Sequence, residues 1–128
     1  MRRFQLRQKE GRFQIDGLVQ EIGKDILLSI WGGTRPHIGA IGIAVPRPSL
    51  MKGGKWSATS SNFTFGGHKE DLLAKRISER IASTTRRNVV VTVGIHWDHL
   101  SLPAIQKIEE LTQNLSAEVI RRLAKKRV

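Results

Sequence analysis

Apolar residues follow two different periods along this chain, and each period predicts a different kind of element. In Phe4-Gln5-Leu6-Arg7-Gln8, apolar and polar side chains alternate, which is typical of a strand with one buried face. Gly17 is predicted as a bulge in the strand that follows. Alternation of this kind, or a high content of β-branched, Ser and Thr residues, predicts five strands in the first half of the chain: residues 4–8, 13–22, 25–31, 37–45 and 56–65.

The second half changes to a helical period. Leu73, Ile77 and Ile81 recur every four residues, which predicts an amphipathic helix that begins near residues 68–70. Residues 89–93 are almost entirely valine and predict a central strand. A last helix is predicted to begin near Ser101–Pro103, because its apolar positions keep helical spacing from there to the C-terminus.

This order of elements, βββββαβα, predicts an α+β fold. We expect one domain over residues 1–128: a largely antiparallel sheet of about six strands, two helices on one face, and a basic C-terminal helix end. Because the helices cover one face only, the other face needs a partner, and a homodimer is predicted. Residues 46–55, rich in Pro, Gly and charge, are predicted as a loop.

Composition narrows the class of protein. The chain has 22 Lys and Arg against 11 Asp and Glu, so that its net charge is +11, which suggests an anionic partner. Nucleic acid is the less favoured partner, because aromatic residues make up only 5% and no recognition signature is present. Cysteine is absent, no apolar run is long enough for a membrane span, and the N-terminus lacks a signal-peptide pattern. A soluble cytoplasmic protein without membrane association is therefore expected.

Three short stretches concentrate the chemistry: residues 31–39, 66–71 and 94–99. The first joins two apolar runs at a predicted hairpin end and presents a cation and an imidazole on a backbone stiffened by Pro36. All four histidines of the chain fall in these stretches, which we predict to form one site. The candidate binding residues are Gly33, Arg35, His37, Gly67, His68, Lys69, His96 and Asp98.

The residues of this site are compatible with metal binding or with anion binding. The histidine spacings match no tight metal motif, so a metal is not predicted, and no serine or cysteine stands in the context of a nucleophile. Anion binding is favoured, because Arg35 offers a planar fork for phosphate and Gly66-Gly67 precedes a helix start. The alternative is an ordinary connection at Gly66-Gly67 and an ion pair of Arg35 with Asp71 or Asp98.

The motifs resemble those of the prenylated-flavin chaperone family, whose members include the LpdD-type subunit associated with gallate-type decarboxylases. The resemblance covers residues 26–111 and rests on the following motifs in the family's order: residues 32–40 (GGTRPHIGA), 46–49 (PRPS), 67–71 (GHKED) and 89–98 (VVVTVGIHWD).

The resemblance implies a dimeric α+β fold similar to that of small proteasome-assembly chaperones. It also implies a helper, not an enzyme, that binds prenylated FMN, or FMN itself, and assists a flavin-dependent decarboxylase of the UbiD type as its client. A protein-only assembly chaperone and a basic nucleic-acid binder are the alternatives. No family role extends to His99 or to the basic tail.

Overall fold

The computed structural model describes residues 2–51, 53–65 and 70–125, with side chains from residue 72 onwards in the last range. It contains one six-stranded sheet and two helices. The elements are β1 (Arg3–Glu10), β2 (Phe13–Ile22), β3 (Asp25–Gly33), β4 (Ala40–Pro48), β5 (Trp56–Thr64), α1 (Glu70–Thr85), β6 (Val89–His96) and α2 (Leu102–Ala124). The predicted α+β class and the order βββββαβα are confirmed. Within the described residues, neither helix combines the length and apolarity that a bilayer span requires.

The sheet is mixed and mostly antiparallel, with the strand order β1-β2-β3-β6-β4-β5. Its one parallel pair is β3 with β6. Because β6 lies between β3 and β4, these two strands do not form the hairpin that the sequence predicts. Residues 34–39, which connect them, instead cross over the end of β6, and we call this segment the crossing loop.

The hydrophobic core lies on one face of the sheet. Strands β2, β3, β4 and β6 contribute alternate residues to it, as in Ile26, Leu28 and Ile30 of β3, which are all at most 2% exposed. Helix α1 packs on β4, β5 and β6, and α2 packs on β1 and β2. Helix α2 begins where predicted, and Ser101 caps it, since its hydroxyl accepts a hydrogen bond from the backbone N–H of Ala104 at 3.2 Å.

Two local predictions are wrong. Gly17 is not a bulge, because its pairing with Leu6 and Ile30 continues the register on both sides. The predicted loop at residues 46–55 begins too early, since β4 runs to Pro48 and Pro46 still pairs with Ala58 of β5. Pairing of β4 with β6 ends at Ala44, so the prolines lie where that side of β4 has no partner strand and a missing N–H breaks no ladder bond.

The second face of the sheet carries no helix among the described residues, and we call it the open face. It carries apolar side chains on five neighbouring strands, β2, β3, β6, β4 and β5, and Ser29 and Thr92 lie between them. It contains the side chains of Leu18, Leu27, Val90, Ile41, Ile43, Val45 and Phe63. Ile43, Val45 and Phe63 are 48%, 52% and 63% exposed, which is high for apolar side chains in a sheet.

A buried carboxylate ties the chain ends to the sheet, and the sequence analysis missed it. Glu21 of β2 is 0% exposed and is contacted by the guanidinium groups of both Arg2 and Arg87. Arg2 also donates to the carbonyl oxygens of Arg122, Leu123 and Lys125 at 3.0, 3.1 and 2.9 Å. One arginine therefore joins the start of β1, the end of β2 and the C-terminus of α2.

Candidate functional site

The crossing loop is held against the C-terminal end of β6 by backbone hydrogen bonds. The N–H of Thr34 donates to the carbonyl of His96 at 2.8 Å, and the N–H of Gly39 donates to the carbonyl of Val93 at 2.8 Å. Between these points the loop passes directly over Gly94, where an added Cβ would lie 1.5 Å from the carbonyl oxygen of His37. Glycine at position 94 is thus a steric requirement of the crossing.

Gly33, just before the crossing loop, is a second position where the backbone requires glycine. Its φ is +89°, and a Cβ there would lie 1.9 Å from the carbonyl oxygen of His96. A side chain at this position would be strained by the backbone angle and would also collide with β6. The two glycines therefore determine where the loop can present Arg35 and His37.

Three predicted site residues meet at this place, and we call Arg35, His96 and Asp98 the polar cluster. Nη2 of Arg35 donates to both carboxylate oxygens of Asp98, at 3.3 and 3.2 Å. Nε2 of His96 lies 2.9 Å from Oδ1 of Asp98, so Nε2 carries the proton and donates. His37 is close by in the loop, with Nδ1 2.9 Å from the carbonyl oxygen of Arg35. The structure therefore brings together the first and third of the three stretches.

The polar cluster is open to solvent, and its one carboxylate accepts hydrogen bonds from two donors. The side chains of Arg35 and Asp98 are 70% and 52% exposed. The hydrogen bond from His96, and then that from Arg35, lower the pKa of Asp98 below its ordinary value. Asp98 therefore stays ionised at neutral pH and holds the two donors side by side, and an arriving anion would compete with it for them. The pairing of Arg35 with Asp98, one of the alternatives weighed above, is present.

The second stretch is not placed by the structure. Gly67, His68 and Lys69 lie outside the described residues, as do the side chains of Glu70 and Asp71. The predicted convergence of all three stretches therefore stays a prediction for these residues. The described part of α1 does reach the same end of the sheet, because Leu72 and Leu73 line a cavity together with His96.

This cavity, which we call the helix-end cavity, lies between the first turns of α1 and α2 and the end of β6. Its volume is about 340 Å³. Most of the side chains that line it are apolar: Leu72, Leu73, Ile95, Trp97, Leu100, Ile105 and Ile108. Trp97 is only 7% exposed and packs edge-on against Phe13, with ring centroids 5.3 Å apart. His96 belongs both to this cavity and to the polar cluster.

Arg76 of α1 is a cation at this cavity that the sequence analysis missed. It is exposed, and among the described side chains no carboxylate forms an ion pair with it. The signal was present in the helical spacing, because Arg76 follows Leu72 by four residues and Leu73 by three and so shares their side of the helix.

Gly33 borders a separate cavity of about 370 Å³ on the other side of Trp97. Arg12, Asp16 and Trp31 also line it. Asp16 is engaged there by Arg7 at 2.8 Å and by the side-chain amide of Gln14 at 3.0 Å. Within the described residues, no three histidine or acidic side chains gather as a metal site would require.

Comparison with known proteins places this chain in a family. The family model of the prenylated flavin chaperone LpdD-like domain matches residues 9–124, a wider span than the motifs suggested. Protein LpdD of Lactiplantibacillus plantarum is 26% identical over 112 residues, which are 88% of this chain and 79% of that protein. A chain of a chaperone complex for yeast 20S proteasome assembly aligns over 96% of this chain and 93% of its own length, with a TM-score of 0.47 and 12% identity. Because the family model covers most of its length, this chain belongs to the family of LpdD-like prenylated flavin chaperones.

Proposed function

We propose that this protein is a non-catalytic cytoplasmic chaperone, with one domain over residues 1–128, that binds prenylated FMN. It assists the delivery of that flavin to a decarboxylase of the UbiD type, or the maturation of that enzyme. The observation that carries the proposal is the polar cluster: Arg35 and His96 stand side by side at the surface, in a chain of this family. Plain FMN is the alternative ligand.

The polar cluster suits the flavin phosphate. A guanidinium binds two phosphate oxygens through its planar fork, and an imidazole N–H adds a third donor. Arg35 needs no large movement for this, because its side chain is already 70% exposed. Gly33, His37, Gly67, His68 and Lys69 complete the proposed binding set. In this mechanism no side chain acts as a nucleophile and no metal is needed, since the protein only holds and releases the flavin.

Replacing Arg35 by Ala should weaken flavin binding by about 1.5–3 kcal/mol, which is roughly a 10- to 150-fold rise in Kd, because a charge-assisted hydrogen bond is lost. The fold should survive, since Arg35 is an exposed loop residue. The measurement is titration with oxidised and reduced prenylated FMN and with FMN, followed by visible absorbance at constant ionic strength.

Lys24→Ala is the matched control for this test, because it removes one positive charge from the turn at the opposite end of the sheet. Equal binding by the Arg35 and Lys24 variants would contradict the assigned role of Arg35. Absence of any flavin binding by the unchanged protein would overturn the proposed function. It would favour a protein-only assembly chaperone, for which the exposed apolar residues of the open face are the supporting feature.

We further propose that the open face is the interface of a homodimer. Its apolar side chains lie on β2, β3, β6, β4 and β5, whereas β1 carries charged residues such as Arg3 and Arg7. A two-fold axis through this apolar area would bury the apolar side chains of one copy against those of the other. The basic β1 strands would then lie at the rim of the interface. Such self-complementarity is what an isologous interface requires.

Light scattering should therefore give about twice the chain mass of 14.4 kDa. Phe63→Asp should shift the protein to monomer, because a carboxylate would be buried unpaired in the interface. Leu50→Asp is the control: Leu50 is 96% exposed in the loop after β4 and should leave the dimer intact. A strict monomer at high concentration, or a dimer that tolerates Phe63→Asp, would rule out this interface.

A further inference from the structure

We infer that the helix-end cavity holds the prenyl-derived ring of the flavin, so that this protein distinguishes prenylated FMN from FMN. The inference rests on the proposed function and adds to it a second subsite. The polar cluster then binds the part that both flavins share, and the cavity binds the part that only one of them carries.

The first argument is the chemistry of the lining. The seven apolar side chains of the cavity come from α1, β6 with the segment after it, and α2. The prenyl-derived ring is a hydrocarbon addition to the flavin, and transfer of such a group from water to an apolar cavity is favourable. A volume of about 340 Å³ also lies at the lower end of the range found for small-molecule sites.

The second argument is access. Leu72 of α1 and Ile105 of α2 are 50% and 41% exposed, whereas Trp97 and Ile108 are 7% and 8% exposed. The cavity is therefore open at the protein surface and has an apolar floor to which Trp97 and Ile108 contribute. A ligand can enter without opening the core.

The third argument is continuity with the polar cluster. His96 lines the cavity and also donates to Asp98, which in turn accepts from Arg35. One ligand with an anionic end and an apolar end could therefore contact both subsites. The cavity is also lined by one cation, Arg76, and one carboxylate, Glu109. The charge of Arg76 acts on either flavin, because both carry the same phosphate and the same pyrimidine edge.

The two kinds of lining residue predict two different effects. Loss of an apolar residue at the mouth should weaken the binding of prenylated FMN alone, because FMN lacks the prenyl-derived ring. Loss of Arg76 should raise the dissociation constants of both flavins by a similar factor. The ratio of the two dissociation constants therefore reports on the cavity, separately from overall affinity.

The test measures Kd for prenylated FMN and for FMN with four proteins: the unchanged chain, Ile105→Ser, Leu72→Ser and Leu102→Ser. The unchanged chain should bind prenylated FMN about 10- to 100-fold more tightly, a factor expected from burying part of a five-carbon group. Ile105→Ser and Leu72→Ser should each reduce this preference about 3- to 10-fold, with FMN binding unchanged. Leu102→Ser is the matched control, because Leu102 begins the same helix, is 67% exposed and does not line the cavity.

A second readout locates the ligand directly. The indole N–H resonance of Trp97 should shift further when prenylated FMN is added than when FMN is added. Equal affinity of the unchanged chain for the two flavins, or equal loss of both in Ile105→Ser, would overturn the subsite while leaving the proposed function standing. Binding of neither flavin by the unchanged chain would overturn both.

Discussion

Replacement of Glu21 by Ala is expected to lower the free energy of unfolding by about 3–5 kcal/mol, the scale measured when one partner of a buried ion pair is removed. Glu21 is 0% exposed, and Oε2 lies 2.5 Å from Nη1 of Arg87. Arg2, just before β1, contacts the same carboxylate. Without it, two guanidinium groups that are only 24% and 23% exposed would face each other with no counter-charge between them.

Urea denaturation followed by circular dichroism measures this effect. The matched control is Glu118→Ala, which removes a glutamate from an i,i+3 pair with Arg121 at 3.6 Å on the surface of α2. Such a pair contributes at most about 1 kcal/mol. If Glu21→Ala were no more destabilising than Glu118→Ala, the carboxylate would not join the chain ends to the sheet as described.

The second large effect is expected at Gly94. Gly94→Ala should displace the crossing loop, because the new methyl group would lie 1.5 Å from the carbonyl oxygen and 2.2 Å from the carbonyl carbon of His37. These are backbone atoms, which no side-chain rotation can move away. We expect a loss of about 1–3 kcal/mol in unfolding free energy, typical of overpacking, together with loss of flavin binding. Displacement of the loop carries Arg35 away from Asp98.

Gly17→Ala is the control that separates these two effects. The nearest atoms to a Cβ at Gly17 would belong to the side chain of Leu115, at 3.2 Å and beyond, and that side chain can adjust. This variant should therefore be destabilised modestly and should bind flavin as the unchanged protein does. Flavin binding and unfolding free energy are measured on both variants. Normal flavin binding by Gly94→Ala would show that the position of the crossing loop does not govern the site.

Three predicted features whose cause is local agree with the structure: strand β6, the start of α2 and the side of α1 that meets the sheet. The valine-rich run at residues 89–93 lies in β6 because β-branched side chains fit a sheet that is flanked on both sides. Ser101 and Pro103 mark the start of α2 because they satisfy or avoid unpaired N–H groups in its first turn. The four-residue repeat of Leu73, Ile77 and Ile81 describes the side of α1 that meets the sheet. The resemblance of the sequence motifs to the family is also confirmed, because the family model matches residues 9–124.

The arrangement of the site was decided by long-range pairing. A strand carries no local mark of which neighbour it will have, so the insertion of β6 between β3 and β4 was not predictable from periodicity. That insertion turns an expected hairpin end into a loop that crosses a strand. It also brings Arg35 to Asp98, which is 63 residues away in the chain.

The buried glutamate and the helix-end cavity depended on tertiary structure for the same reason. The sequence by itself determined the elements, their order and the two glycine-bearing motifs that meet at the end of β6, since each follows from the preferences of neighbouring residues. Only the tertiary structure decided that Glu21 is buried between Arg2 and Arg87, and that Arg76 lies at an apolar cavity shared with His96. These contacts join residues from separate elements, and their energies arise only once the helices have packed on the sheet and excluded water.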